Sequence, residues 1–236
     1  MSRYLLAFAL LSSVLALRAQ DAPALIGRVN GRTYVSPTGV FKVTIPVLPE
    51  LGGAVTDTPN VVTFQDSFNV HVSIAAFPQD ATQRWEMATR GKKDYLDYFF
   101  ANFVLSDFKR SFRGVTVEDS KFRPDTMGGA LITYILIPGG SMFTDHMPPV
   151  TNGAVPVAKR GNMLFVKNGY IFVISTELAE RVIEGSAYKK TPKEEDAILD
   201  QKLSDVLDKM DFLKVSTKSD SGPSVPSPLS APTRTR

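Results

Sequence analysis

The chain has 236 residues, of which 43% are hydrophobic and none is cysteine, and its formal net charge is +3 at pH 7. The missing cysteines exclude disulfides and a lipid anchor on an N-terminal cysteine. Most of the positive charge lies near the two ends of the chain. Without Arg3 and Arg18 of the N-terminal segment the net charge is +1, and residues 216–236 contribute +2 of charge. The residues between these two segments therefore carry a net charge of about −1 and lack the basic surface that nucleic-acid binding requires.

Residues 1–19 have the layout of a secretory signal peptide. Arg3 precedes an almost wholly apolar run from Tyr4 to Leu17, and Ala16 or Ala19 offers a cleavage site. The run is shorter than the roughly 20 apolar residues of a spanning helix, so we expect no transmembrane segment and export to the periplasm or the extracellular space. The expected layout is a signal peptide (1–19), a flexible lead (20–32), a single α+β domain (33–215) and a disordered Ser/Pro-rich tail (216–236).

The first half of the domain begins with strand patterns. Apolar residues alternate with polar ones over residues 41–45, and a turn at 37–39 pairs this strand with residues 34–36. A second hairpin is expected from 61–65 and 69–77, with His71 and Ser73 on the face opposite Val72.

A helical pattern follows, with Asp80 as the predicted N-cap and Gly91 as a predicted kink. Aromatic residues recur at helical spacing from Trp85 to Phe103, and we interpret most of them as core. Phe100 lies off the main stripe and is expected to be exposed or to contact another segment.

The second half of the domain alternates strands with one clear helix. Strands are expected at 115–122 and 130–137, and a loop rich in Gly and Pro covers 138–156. Asn168-Gly169 between two apolar runs predicts a type I′ hairpin. Thr191, followed by Pro192 and Glu194, predicts the start of a final helix. This order predicts an α+β fold with a largely antiparallel sheet that is covered on both faces.

The opening strands also resemble those of a known family. The segment from Tyr34 to Pro46 combines an aromatic residue, a short turn, a strand that starts at Phe41 and a closing proline. With the strand pair in 61–74, the hairpin that ends at 172–176 and a last helix that runs into 211–213, the chain resembles the Mog1/PsbP-like family over about residues 33–213.

This resemblance implies an α/β/α sandwich on a central antiparallel sheet. It also implies a binding or accessory role, since members stabilise membrane complexes, bind small GTPases or serve in the bacterial envelope. It implies no catalytic residues.

The residues with the strongest chemical interest lie in the loop 138–156. Ser141, Asp145 and His146 form a low-ranking candidate site, in which they would act as nucleophile, orienting carboxylate and base of a hydrolase. The Gly-x-Ser-x-Gly turn that normally presents such a serine is absent. A metal site would require both histidines, His71 and His146, with a carboxylate such as Asp145.

The leading hypothesis is therefore a non-enzymatic envelope accessory or binding protein. Its partner would be an envelope protein or a small ligand, and its oligomeric state is left open. The alternative is a hydrolase centred on the loop 138–156. The sequence has no phosphate-binding glycine loop, zinc-protease motif or calcium loop, so no cofactor is expected.

Overall fold

The computed structural model describes residues 24–146 and 155–213; of His146 it describes the backbone but not the side chain. The predicted signal peptide and C-terminal tail lie outside the described residues. The helices are α1 (Ala81–Arg90), α2 (Lys92–Phe99), α3 (Leu105–Ser111), α4 (Ala179–Ile183) and α5 (Pro192–Leu207), and a π-helical turn (Phe100–Val104) joins α2 to α3.

The strands form two antiparallel sheets within the described ranges. The strands are β1 (Arg28–Asn30), β2 (Thr33–Val35), β3 (Phe41–Thr44), β4 (Ala54–Asp57), β5 (Val61–Gln65), β6 (His71–Pro78), β7 (Thr116–Arg123), β8 (Ala130–Pro138), β9 (Val157–Lys167), β10 (Tyr170–Glu177) and β11 (Met210–Phe212). A small sheet has the order β1-β2-β3-β11, and a central seven-stranded sheet has the order β4-β5-β6-β10-β9-β8-β7.

The central sheet is buried on both faces, which is why its strands read as continuous apolar runs. Along β8, Ile132 and Tyr134 enter a core shared with α5 and the small sheet, whereas Leu131 and Ile135 enter a second core under α2. The predicted α+β class, with a central antiparallel sheet between two layers, is confirmed. The layer on the α5 side also contains the small sheet.

Local sequence signals placed several elements correctly. Asp80 and Thr191 cap α1 and α5, each within a reciprocal capping box. Asn168 and Gly169 take φ values of 50° and 77°, as a type I′ turn requires, and join β9 to β10.

The predicted flexible lead needs a correction. Within 20–32, β1 pairs with β2 across a two-residue turn in which Gly31 has φ 58°. The Asp57 carboxylate holds this segment, because it accepts hydrogen bonds from the amides of Ile26 and Gly27 and from the Tyr34 hydroxyl. These long-range contacts left no local pattern to predict.

Candidate functional site

Ser141, the serine of the predicted loop site, is hydrogen-bonded to Glu177 on the central sheet. It is buried, its hydroxyl donates to Glu177 Oε1 at 2.5 Å, and its oxygen accepts from the Phe143 amide at 3.0 Å. Asp145 is exposed on a one-turn 3₁₀ helix, and no described hydrogen bond joins it to Ser141. The side chain of His146 lies outside the described residues, so the hydrolase hypothesis stays a prediction.

Glu177 belongs to a buried ion pair at the end of β10. Arg160 Nη2 on β9 donates to Glu177 Oε2 at 3.1 Å and to the Gly140 carbonyl at 3.2 Å. The guanidinium carbon lies 5.6 Å from the centre of the Phe108 ring. Burial lowers the pKa of Arg160, and the adjacent Glu177 opposes this shift. The pair fixes the start of the loop 138–156 to the sheet.

A row of polar side chains crosses five strands on the sheet face that the ion pair also occupies. Directly opposed residues share one face of an antiparallel sheet. In order across the sheet, this polar row consists of Thr63, Ser73, Ser175, Asn162 and Thr133, each opposite the next.

Hydrogen bonding within the polar row is incomplete. Asn162 Nδ2 donates to Thr133 Oγ1 at 3.4 Å, but the buried Asn162 Oδ1 and Ser175 Oγ have no hydrogen-bond partner in the described chain. His71 Nδ1 and Arg160 Nε, on the same sheet face, are also unpaired within that part. Buried polar atoms are normally satisfied by protein, water or ligand, so this concentration indicates a site that accepts another molecule.

A cavity of about 630 Å³ lies over the polar row. Ser73, Asn162 and Ser175 form its floor, and Phe77, Phe99, Phe103 and Phe108 contribute to its walls. Ligand sites commonly have this size, apolar walls and a few convergent polar groups. The cavity is therefore the candidate functional site.

The helical segment above the cavity has an irregular course. The π-helical turn between α2 and α3 changes the helix register, and such turns are frequent at functional sites. Phe100 is buried in the second core, so of the two expectations for it, exposure is wrong and contact with another segment is what occurs. Instead, Phe103 on the cavity wall is 49% exposed and Trp85 on α1 is 63% exposed.

His71 is held neutral by its surroundings. Burial, together with the nearby positive charge of Arg160, lowers its pKa from 6.5 to about 3. Within the described residues, no three His, Asp or Glu side chains come close enough to share a metal ion.

Several solved structures are similar to this chain in fold. The solution structure of cyanobacterial PsbP (CyanoP) from Synechocystis matches at 13% identity over 80% of this chain and 99% of its own, with a TM-score of 0.48. The Ran-binding protein Mog1p of Saccharomyces cerevisiae matches at 9% identity over 78% of this chain and 96% of its own, with a TM-score of 0.47. This chain is similar in fold to PsbP and Mog1.

A crystal structure from Bacteroides thetaiotaomicron also matches this chain, at 13% identity over 79% of this chain and 50% of its own, with a TM-score of 0.40. No family model and no curated protein sequence matches the chain. None of the helices in the described ranges has the length and apolar character needed to span a membrane.

Sequence reasoning missed the floor of the cavity. The available signal was a polar residue next to the apolar run of each strand: Thr133 in β8, Asn162 in β9 and Ser175 in β10. Only the strand register shows that these three residues are neighbours.

Proposed function

We propose that this chain is an exported, non-enzymatic binding protein that takes a small ligand into the cavity above the polar row. One observation supports the proposal: aromatic side chains flank a half-open cavity at whose floor Asn162 Oδ1 and Ser175 Oγ are buried without partners among the described residues. A packed core rarely leaves such atoms unsatisfied beside open volume. The floor groups are amide and hydroxyl, which suit recognition and supply no strong acid or base.

Export is the second part of the proposal, and residues 1–19 support it. The positive charge at Arg3, the apolar run from Tyr4 to Leu17 and the small residues Ala16 and Ala19 are typical of a cleaved leader. The ligand would then be taken from the cell envelope or the medium. Detection of the N-terminus at residue 17 or 20 in secreted material tests this part.

A cavity-filling substitution tests the binding site. Val173 lines the cavity on β10, so Val173→Phe projects a phenyl ring into the space that a ligand needs. Val117→Phe on β7 is the matched control, because Val117 is exposed and away from the cavity. Each variant is first checked by urea denaturation, where we expect a change of at most about 1–3 kcal/mol.

The measurement is a thermal-shift screen of the purified chain against a library of fragment-sized compounds. A compound at 100 times its Kd stabilises a protein by about 2.7 kcal/mol, which for a chain of this size raises the Tm by about 5–10 °C. Compounds that raise the Tm of the wild-type and Val117→Phe chains should not raise that of Val173→Phe. Equal shifts in all three chains, or no shift in any, would contradict the proposed site.

A further inference from the structure

The floor of the cavity carries no net charge. Its polar residues are Ser73, Asn162 and Ser175, which are neutral at all relevant pH values. The nearest buried charges on this sheet face, Arg160 and Glu177, neutralise each other at 3.1 Å. A charged group brought to the floor would lose its hydration without gaining a counter-charge, so the floor selects against ions.

The unpaired floor atoms lie beneath the cavity with almost no exposed surface, since Asn162 is 0% and Ser175 5% exposed. A ligand that reaches them must displace neighbouring side chains and must supply a hydrogen-bond donor. Because Asn162 Nδ2 is directed to Thr133, the amide oxygen Oδ1 is the free end of the side chain, and it can only accept. The Ser175 hydroxyl can either donate or accept. A ligand hydroxyl satisfies both atoms at once, since it donates to Asn162 and accepts from Ser175.

The walls are suited to a flat ring system. Phe99 and Phe103 stack with ring centres 4.8 Å apart and an interplanar angle of 28°, and Phe77 lies 6.2 Å from Phe99. Rings of this kind pack best against other rings, by stacking or by edge contacts. The half-exposed Phe103 would lose its contact with water when a ring covers it.

The mouth of the cavity adds discrimination against anions. Asp80 and Asp107 line it, and Arg110, the basic residue among the lining groups, is paired with Asp107 at 3.0 Å. An anionic ligand would therefore pass carboxylates on its way in and find no unpaired cation at the floor.

We infer that the ligand is an uncharged molecule with an aromatic or flat alicyclic ring system and a hydroxyl group that donates to Asn162 Oδ1 on the cavity floor. This inference rests on the proposed function and adds the chemical class of the ligand. It assigns Asn162 and Ser175 as the residues that determine specificity.

Three probes that share one naphthalene ring system test separately whether the ligand needs a hydroxyl donor and whether it must be uncharged. They are 2-naphthol, which has a donor; 2-methoxynaphthalene, which keeps the oxygen but has no donor; and 2-naphthoate, which is an anion at pH 7. Equilibrium dialysis against the purified chain gives the three Kd values. We expect 2-naphthol to bind at least about tenfold more tightly than either of the others, a ratio that corresponds to one hydrogen bond of about 1.4 kcal/mol.

Two matched variants test whether Asn162 on the cavity floor causes the preference for 2-naphthol. Asn162→Leu removes the acceptor and should reduce the preference for 2-naphthol over 2-methoxynaphthalene to less than about threefold. Asn69→Leu makes the same change at an exposed position away from the cavity and should leave the preference intact. If Asn162→Leu does not fold, as judged by circular dichroism, Asn162→Ala replaces it and should reduce the same ratio, because it also removes the acceptor oxygen.

The possible outcomes distinguish a failure of the proposed ligand class from a failure of the proposed binding function. Equally tight binding of 2-naphthoate, or a preference that survives Asn162→Leu, would overturn the ligand class. If none of the three probes binds while library compounds bind in a manner that Val173→Phe abolishes, the ligand class is wrong and the binding function stands. If no compound distinguishes wild type from Val173→Phe, the binding function itself is wrong.

Discussion

Replacing Glu177 by glutamine should lower the free energy of unfolding by about 3–5 kcal/mol, because it leaves a buried guanidinium without its counter-charge. Glu177 is fully buried and accepts hydrogen bonds from Arg160, from the Ser141 hydroxyl and from the Met142 amide. Glutamine keeps the size of the side chain and one acceptor oxygen, so the loss comes from the unpaired charge of Arg160. Urea denaturation of wild type and variant at pH 7 measures the difference.

Glu180→Gln is the matched control, because Glu180 lies close to Glu177 in sequence, near the start of α4. Glu180 pairs with Lys202 at 3.2 Å, but the two side chains are 30% and 26% exposed, so its loss should cost less than about 1 kcal/mol. The double change Arg160→Met with Glu177→Leu removes both charges and should recover most of the stability lost in Glu177→Gln. A cost for Glu177→Gln no larger than that for Glu180→Gln would show that the ion pair is not buried in solution.

The parts of the fold that could be predicted are those encoded by neighbouring residues. The turn at Asn168-Gly169 and the capping box at Thr191 each depend on two to four consecutive side chains, and both occur where expected. The alternation around Phe41 likewise fixed the face of a strand before its partner was known. In these cases the local preference and the tertiary structure agree.

The parts that could not be predicted depend on strand order. Asn162 lies between Thr133 and Ser175 because β9 lies between β8 and β10, and no local pattern encodes that adjacency. The burial of Phe100 has a related explanation. The buried stripe was extrapolated from Trp85, which lies on the separate helix α1 and is 63% exposed, whereas Phe100 lies four residues after the buried Leu96 of α2.

Ser141 illustrates the same limit for chemistry. Crowding with Asp145 and His146 along the sequence indicated a catalytic set, whereas the hydroxyl is bonded to Glu177, 36 residues away. Proximity in sequence does not show that the Ser141 hydroxyl is bonded to Glu177, and its pairing with His146 stays a prediction.

Acidification from pH 7 to pH 4.5 should destabilise the wild-type chain by about 2–3 kcal/mol more than the His71→Gln variant. In the folded chain, burial and the charge of Arg160 lower the pKa of His71 to about 3, whereas in the unfolded chain it returns to about 6.5. Between these values the unfolded chain binds a proton that the folded chain does not. The contribution of the neutral His71 to the free energy of unfolding is therefore fully present above about pH 6.5. It falls by about 1.4 kcal/mol per pH unit as the pH drops toward 3.

Glutamine cannot titrate, so subtracting the two denaturation series removes the acid sensitivity that both chains share through their carboxylates. An independent reading comes from the imidazole proton resonance of His71, assigned by its absence in His71→Gln. That resonance should not shift between pH 7 and pH 4.5 in the folded chain. A midpoint near pH 6.5, together with parallel stability curves, would mean that the imidazole is hydrated and that the sheet face beside the polar row is open to water.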